Sequence, residues 1–583
     1  MKKFNLLFLL TVLCLSNRAQ ITPYEKGGKN VTATYNECIA YYQQLDKKSN
    51  IVQVKTMGLS DAGYPLHLVL VSKDGTFDPD TWHKQNKTVI LINNGIHPGE
   101  PDGIDASMML VRDIIDGKTA LPNDVTLGII PIYNIGGSLN RSTNFRVDQN
   151  GPEAFGSRGN SQNLDLNRDF IKCDSREARS FTEIFHFLDP DIFVDNHVSN
   201  GADYQHVMTL IASQHNKLGG AMGEFMNKTF EPELFRMMKE KNYDLVPYVN
   251  FFGETPDGGW PEFMDGPRYA SGYAALWHTF GFVPETHMLK PYPQRVDATY
   301  KLMECFIQFA KKNGSTIRRL REETKKQTID QELFTLDWTL DRTRSSTITF
   351  KGFTAGHKPS EVSGLPRLYY DRSQPYEKQI PFFNTYKPSL QVVKPIAFII
   401  PQGWWKVIEL LKANRVILWP LEYDATFETE VYKITDYKTS ARQYESHHPN
   451  SEVKLDTQLL SITFRKGDYY IPMNQRAGRF LMEVLDPRAP DSYFAWNFFD
   501  AILGQKEGYS SYVFEDRAAQ LLKDDATLRN RLDEKRKSDS AFAKSAGQQL
   551  NFVYQNSEYA EPGFMRYPVY RVTGQALTGR PIK

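Results

Sequence analysis

Cysteine is scarce in this chain, with four residues in 583, and no two of them form a C-x-x-C pair. This scarcity excludes a disulfide-rich scaffold and argues against a zinc site built from thiolates. Three cysteines would remain once an N-terminal export signal is removed, so that one disulfide and one free thiol are the most that the mature chain allows.

An excess of charge is also missing. The formal net charge is +1, so no global field attracts nucleic acid or an acidic surface. The sequence has no H-E-x-x-H, which excludes a thermolysin-like arrangement, and no G-x-S-x-G, so a serine nucleophile elbow is not indicated. With 40% hydrophobic and 24% charged residues, the composition is that of an ordinary globular protein.

Long apolar runs are limited to the N-terminus. Lys2 and Lys3 precede a largely apolar stretch over residues 6–15, and Ala19 then offers a small residue at a cleavage point. This pattern is typical of a signal peptide over residues 1–19, and the apolar stretch is too short for a permanent membrane helix. We therefore expect an exported protein, periplasmic or secreted, with no stable membrane insertion after signal removal; a membrane anchor is the alternative.

The length predicts two folded units, because single hydrophobic cores stop growing at about 250–300 residues. Over residues 20–315, strands alternate with helices, among them predicted helices at 176–188 and 296–312, which predicts an α/β unit with a mixed, mostly parallel central sheet and flanking helices. The pattern changes near residue 315, where a separate charged helical stretch at 317–326 follows Gly314. Residues 325–583 predict a C-terminal β-rich accessory domain with helices toward its end. No strong ligand or acid–base constellation occurs there, so we expect no catalytic group from this second unit.

A histidine and a glutamate three positions apart follow the apolar run Thr88–Ile92, which is typical of a buried strand. His97 and Glu100 flank Pro98-Gly99, a dipeptide that favours a tight turn. Zinc accepts both imidazole nitrogen and carboxylate oxygen. The motif alone is weak evidence, since about one H-x-x-E is expected by chance in a chain with this many histidines.

A second predicted strand strengthens the case for a metal site. The run Asp191–Asp195 ends beside His197, so another imidazole follows a buried strand. In open α/β sheets, binding sites gather at the carboxyl ends of strands. His97, Glu100 and His197 would leave one position of tetrahedral zinc open, as a catalytic zinc requires. Taken alone, His197 is better explained as a satisfied core or loop histidine.

Several ordered segments together resemble the zinc carboxypeptidases of the M14 metallopeptidase group, in a secreted bacterial form. The likeness covers about residues 50–310, and the order of its pieces makes chance agreement improbable. The segments are His97-Pro98-Gly99-Glu100, Asn163 to Phe170 (NLDLNRDF), Asp195-Asn196-His197 and Val283-Pro284-Glu285-Thr286.

The resemblance implies roles for further residues. Glu285 falls where the family carries the glutamate that moves protons between water and the leaving amine. Asn167 and Arg168 fall where the family grips the free C-terminal carboxylate of a peptide, which a planar guanidinium binds in bidentate fashion. Asp165 falls where a carboxylate orients a ligand histidine, as ligand imidazoles usually require.

For two further roles, the sequence offers more than one candidate residue. The family resemblance implies an arginine that stabilises the oxyanion, and Arg141, Arg146 and Arg158 all lie in the relevant window. Arg146 is the preferred candidate. It also implies a tyrosine that closes over the substrate, for which Tyr269 fits best and Tyr273 is the alternative.

The sequence thus predicts a zinc-dependent metallocarboxypeptidase, with one Zn²⁺ per chain, that removes C-terminal residues from peptides by metal-activated water. Expected partners are peptides, including cell-wall peptides, and no nucleic acid. One alternative is a cell-wall peptide amidase, endopeptidase or deacylase of the same fold. The other is a catalytically inactive binding protein. The side-chain preference at the cleaved residue, the oligomeric state and the role of the second unit do not follow from the sequence.

Overall fold

A computed structural model describes residues 20–574, so the predicted signal peptide lies outside the described residues. The N-terminal unit is built on a nine-stranded mixed sheet. The strands of this unit are β1 (Val52–Leu59), β2 (Pro65–Val71), β3 (Thr88–Asn93), β4 (Val125–Ile130), β5 (Arg141–Ser142), β6 (Phe155–Gly156), β7 (Ile192–Asp195), β8 (His197–Ser199), β9 (Met208–Ala212), β10 (Val246–Pro247), β11 (Trp260–Pro261) and β12 (Phe280–His287).

The central part of the sheet is parallel. Strands β4, β3, β7 and β12 are neighbours in that order and run in one direction, and β8 pairs with β12 in the same sense. Antiparallel pairing is found at the β1–β2–β4 edge and between β12 and β9. Every residue of β3, β4 and β7 is buried, which explains their largely apolar sequences.

Helices flank this sheet, which confirms the predicted fold class. α2 begins with a capping box, in which the Glu37 carboxylate accepts a hydrogen bond from the Thr34 N–H at 2.9 Å. The helices of the unit are α1 (Pro23–Lys26), α2 (Tyr35–Lys48), α3 (Pro79–Lys84), α4 (Asp102–Ile115), α5 (Ile135–Leu139), α6 (Arg176–Leu188), α7 (His215–Leu218), α8 (Gly220–Phe225), α9 (Glu231–Glu240), α10 (Ala270–Leu276) and α11 (Tyr292–Asp330).

The C-terminal region contains the additional β-sheets that the sequence predicted. Its strands are β13 (Leu333–Leu340), β14 (Ser346–Pro359), β15 (Pro366–Phe383), β16 (Tyr386–Val393), β17 (Ala397–Ile400), β18 (Trp419–Pro420), β19 (Ala425–Thr439), β20 (Asn450–Phe464), β21 (Tyr469–Pro472) and β22 (Tyr570–Val572). Its helices are α12 (Trp405–Ala413), α13 (Gly478–Leu485), α14 (Ser511–Asp524), α15 (Ala526–Ser538), α16 (Ser540–Ala543) and α17 (Ala546–Gln555).

Three sheets organise these strands. Six of them form one sheet in the order β18-β21-β17-β22-β19-β20, and β13 pairs with β16. β14 and β15 form a long antiparallel ribbon whose third strand is β11 of the N-terminal unit. The two regions are therefore joined by strand pairing as well as by the chain.

A single helix crosses the predicted boundary. The sequence predicted one helix at Val296–Lys312 and a separate helical stretch after Gly314, whereas α11 is continuous over 39 residues. The main apolar core is one cluster of contacting side chains whose members range from Tyr24 to Val569 along the sequence. Both units therefore contribute to the same core. The domain limits at 315 and 325 stay a prediction.

The three cysteines in the described part of the chain, Cys38, Cys173 and Cys305, are buried free thiols. Among the described helices, none has the length and apolar character needed to cross a lipid bilayer.

Candidate active site

The candidate site forms where neighbouring parallel strands end. Asn93, the last residue of β3, and Asp195, the last residue of β7, are register partners, and the Asn93 amide donates to the Asp195 carboxylate at 2.9 Å. The residues that follow both strands are therefore brought together. The loop after β3 carries His97 and Glu100, while β8 begins with His197.

His97, Glu100 and His197, here called the metal set, are all buried and place one ligand atom each within 4.8 Å of the others. Nδ1 of His97 lies 3.3 Å from one carboxylate oxygen of Glu100, and Nδ1 of His197 lies 3.2 Å from the other. The three side chains thus point at a common centre, and two nitrogens with a carboxylate are donors that suit a divalent transition metal.

Each histidine of the metal set is oriented by an aspartate. Nε2 of His97 lies 2.9 Å from Asp165 Oδ1, and Nε2 of His197 lies 3.0 Å from Asp195 Oδ2. Sequence reasoning assigned Asp165 and missed Asp195. Residues two positions apart on an extended strand share a face, so the spacing of Asp195 and His197 could have indicated this contact.

Gly99 makes the tight turn of the metal set possible. The Glu100 N–H donates to the His97 carbonyl at 2.8 Å. A Cβ at residue 99 would lie 2.6 Å from Cδ of Arg146 and 2.9 Å from the carbonyl of Gly156. The backbone must approach both groups closely, and only glycine leaves room for them.

Glu285 lies on β12 directly opposite His197 on β8, and its side chain lines the same cavity as the metal set. Burial raises the pKa of Glu285 to about 8; His197 opposes this rise, and the Glu100 carboxylate adds to it. A carboxyl group in this range can both accept and donate a proton near neutral pH.

The three candidate arginines are placed differently. Arg141 donates to backbone carbonyls, one of them that of Ala154 at 3.1 Å, and does not line the cavity. Arg146 donates to Glu100 at 2.8 Å and to the Val198 carbonyl at 3.1 Å. Arg158 also lines the cavity, but 48% of its side chain is exposed, against 16% for Arg146.

Arg158 also stabilises the carboxylate that orients His97. Its Nε lies 3.0 Å from Asp165 Oδ2. Although burial works against ionisation, His97 and Arg158 together hold the pKa of Asp165 well below its usual range.

Asn167, Arg168 and Tyr269 lie together on the cavity wall. The Arg168 guanidinium lies 4.6 Å from the centre of the Tyr269 ring and donates from Nη1 to the Asn167 carbonyl at 2.8 Å. The side-chain oxygen of Asn167 is buried and has no partner among the described residues. The alternative, Tyr273, is in the core, where its hydroxyl donates to Asn414.

The cavity has a volume of about 560 Å³ and an apolar part beside its polar wall. Ile211, Phe263 and Val283 line this apolar part, and Asp265 lines the cavity as well. Oδ1 of Asp265 is buried without a partner among the described residues. Burial raises the pKa of Asp265 to about 7, against the opposing effect of Lys217.

Comparison with known families agrees with this geometry. Residues 38–253 match the family model described as zinc carboxypeptidase, of the M14 peptidases. This part of the chain is therefore similar to zinc carboxypeptidase domains. The matched range includes the metal set, Asp165, Asn167 and Arg168, and it ends before Tyr269 and Glu285. A search of curated proteins gives no significant match.

Solved structures similar to part of this chain include several carboxypeptidases. The enzyme from Burkholderia cenocepacia is 15% identical, with 48% of this chain and 70% of that chain covered and a TM-score of 0.36. The metallo-carboxypeptidase from Pseudomonas aeruginosa is 12% identical, with 48% and 70% covered and a TM-score of 0.36. Carboxypeptidase A from Helicoverpa armigera is 16% identical, with 49% and 74% covered and a TM-score of 0.36.

Proposed function

We propose that the protein is a zinc-dependent metallocarboxypeptidase that binds one zinc ion per chain and hydrolyses the last peptide bond of peptides. The observation that carries this proposal is a single cavity lined at once by the metal set, Glu285 and Arg168. These groups supply a metal site, a proton carrier and a cation for a terminal carboxylate. Two histidines and one glutamate also leave a position free on tetrahedral zinc.

The residues present fit a zinc ion. Nδ1 of His97 is buried and lies 3.3 Å from Glu100 but makes no hydrogen bond among the described residues, although the opposite nitrogen of the same ring is held by Asp165. A buried nitrogen without a partner is costly unless a ligand meets it. Zinc bound to this set would polarise the substrate carbonyl and activate a water molecule.

Glu285 is the proton carrier in this proposal. Its raised pKa of about 8 suits a group that takes a proton from water and passes it to the leaving amine. It lies opposite His197 across two paired strands, so it has a fixed distance from the metal set. Removal of its acid–base function costs about 10²–10⁴-fold in rate in comparable enzymes.

We assign the stabilisation of the oxyanion to an arginine. Arg146 and Arg158 are the two candidates that line the cavity. Arg146 was preferred from the sequence, and it contacts Glu100 directly. However, its three guanidinium nitrogens donate to Glu100, Gln149 and the Val198 carbonyl. Arg158 is more exposed to the cavity, which favours it as the residue that reaches the substrate.

We assign the binding of the C-terminal carboxylate of the peptide to Asn167, Arg168 and Tyr269. The Arg168 guanidinium can donate charge-assisted hydrogen bonds to a carboxylate, and the asparagine amide can add a further contact. Nη2 of Arg168 has no hydrogen-bond partner among the described residues, so it is available to a ligand. This arrangement favours exopeptidase activity over deacylation, because a deacylase substrate carries no terminal carboxylate at that point.

The proposal extends to export and to substrate source. The N-terminal pattern over residues 1–19 supports export, and cell-wall peptides are one class of substrate available outside the cytoplasm. The side-chain preference of the enzyme is left to experiment.

The test compares peptides with free and amidated C-termini, with mass spectrometry as the readout. A free carboxylate can pair with Arg168, whereas an amide cannot, so kcat/KM should fall roughly 100-fold or more on amidation. In Arg168→Ala, this difference should vanish while zinc content stays unchanged. Arg319→Ala, which removes an exposed arginine of α11, serves as the matched control.

Equal cleavage of both peptides by the wild-type protein, or preferred cleavage of internal bonds, would overturn the carboxypeptidase assignment in favour of an amidase or endopeptidase of the same fold. Binding without any cleavage would indicate an inactive binding protein.

A further inference from the structure

One hairpin of the C-terminal region contacts Arg168 on the wall of the cavity. Strands β19 and β20 pair along their length, and the segment that connects them, residues 440–449, lies against the N-terminal unit. We call residues 444–447 (Tyr-Glu-Ser-His) the hairpin tip. The sequence alone led us to expect no catalytic group from this region, and among the described residues no side chain of the tip belongs to the metal set itself.

Three side chains of the hairpin tip contact the segment that carries Arg168. The Tyr444 hydroxyl accepts a hydrogen bond from Arg168 Nε at 2.9 Å. The Glu445 carboxylate accepts one from the Asp165 N–H at 2.8 Å. His447 Nε2 lies 2.9 Å from Asp174 Oδ2. All three contacts are polar and aimed at one stretch of chain, so the tip is bound to this stretch specifically.

The backbone of the hairpin tip is in an unusual conformation. Glu445 and Ser446 have φ angles of 50° and 65°, in the left-handed region that residues other than glycine seldom adopt. The flanking residues close the turn, since Tyr444 N–H donates to the His447 carbonyl at 2.8 Å. Two positive φ angles in a two-residue turn tighten the hairpin and point its side chains outward. Strain of this kind often occurs at functional positions.

Tyr444 is held from both units. Its ring stacks on the buried Trp496 at 6.1 Å, with 21° between the planes. The guanidinium of Arg268, in the N-terminal unit, lies 5.7 Å from the centre of the Tyr444 ring and 4.9 Å from the centre of the Trp496 ring. Arg268 is itself fixed by an ion pair with Asp491 at 2.6 Å. The hydroxyl of Tyr444 is therefore presented to Arg168 from a rigid position.

We propose that Tyr444 is a positioning residue for the substrate terminus, supplied by the C-terminal region; this inference rests on the proposed function. Arg168 donates hydrogen bonds from Nε to the Tyr444 hydroxyl and from Nη1 to the Asn167 carbonyl. The ring of Tyr269 lies against the face of the same guanidinium. These three contacts fix the plane of the guanidinium and leave Nη2 for the peptide carboxylate. A long arginine side chain held in advance loses less entropy on binding.

The test is Tyr444→Phe in the full-length protein. Phenylalanine keeps the ring on Trp496 and removes the one hydroxyl that meets Arg168. Since the terminal carboxylate is gripped in both ground and transition states, KM for a peptide with a free terminus should rise roughly tenfold, with kcat within about twofold of wild type. KM for the amidated peptide should not change.

A matched control is Tyr423→Phe, since Tyr423 is 56% exposed and its hydroxyl has no partner among the described residues. Zinc content and melting temperature, measured on both variants, separate a local effect from a loss of fold. In the Arg168→Ala background, Tyr444→Phe should have no further effect on KM, because its action passes through Arg168.

An unchanged KM in Tyr444→Phe, or an additive effect in the double variant, would overturn the role of Tyr444. If wild-type protein cleaves free and amidated peptides equally, that result contradicts the proposed carboxypeptidase function itself, and with it the role of Tyr444 that depends on this function.

Discussion

Glu285 and His197 are register partners on neighbouring parallel strands, β12 and β8. The distance between the proposed proton carrier and the metal set is therefore set by backbone pairing, not by a loop. Because alternate residues of a strand face opposite sides, a shift of one position would turn Glu285 away from the cavity. The register of these two strands is thus as important to the site as the identity of the residues.

For Glu285→Gln, we expect a fall in kcat of about 10²–10⁴-fold, since the amide keeps the shape but cannot accept a proton. Zinc content and melting temperature should match those of the wild type. Glu183→Gln, which alters an exposed glutamate on α6, is the control for the loss of a carboxylate. Near-normal kcat in Glu285→Gln would remove this residue from the mechanism.

Elemental analysis of the purified protein should give one zinc per chain. His97→Ala and His197→Ala should each lose most of the metal, because each removes one of three protein ligands. His448→Ala, at an exposed histidine of the segment between β19 and β20, should keep it. Full metal content in both metal-set variants would place the metal elsewhere.

The two arginines of the cavity wall can be separated by their effects on rate. Arg146→Lys should lower zinc affinity, since it disturbs a direct contact with Glu100. Arg158 also lies 3.4 Å from Glu100 and pairs with Asp165, so Arg158→Lys should weaken zinc binding as well, and rates are compared with zinc added to saturation. If Arg158 stabilises the oxyanion, kcat of zinc-saturated Arg158→Lys should fall about 10²–10³-fold, while that of zinc-saturated Arg146→Lys stays near the wild-type value. A fall of this size in zinc-saturated Arg146→Lys, with near-normal kcat in Arg158→Lys, would return the oxyanion role to Arg146.

Asp265 predicts a pH dependence of stability in the metal-free protein. Burial raises its pKa from 3.8 to about 7, so the folded state binds a proton that the unfolded state has released between these values. Stability therefore falls as pH rises from about 4 to about 7 and levels off above that range. Asp265→Asn should remove the share of this slope that Asp265 contributes, and the gain over wild type at pH 8 should be at most about 4 kcal/mol, since a pKa shift of about 3 units corresponds to that free energy.

The measurement is urea unfolding of chelator-treated protein at a series of pH values between 4 and 8. Asp516→Asn, at an exposed position of α14, is the control and should keep the wild-type slope. A wild-type-like slope in Asp265→Asn would mean that the carboxyl group is ionised or solvated in the folded protein.

The sequence by itself determined the elements around the site. The apolar runs before His97 and His197 predicted buried strands, and β3 and β7 are found there because both faces of a central parallel strand are covered. Local signals of this kind also predicted α6, whose bounds, Arg176–Leu188, agree with the sequence pattern. The order of motifs along the chain also predicted the likeness to zinc carboxypeptidases that residues 38–253 show, and it pointed to three residues that the fold brings together, His97, Glu100 and His197.

Only the tertiary structure decided which distant groups meet. It brought Tyr444 to Arg168 and Asp195 to the ring of His197, and it took Tyr273 away from the cavity into the core. It also joined the predicted helix at residues 296–312 to the stretch beyond Gly314 in one helix. Strand and helix periodicity depend on neighbours within a few residues, whereas a contact between residues 168 and 444 depends on how two separately predicted units pack, which no local pattern records.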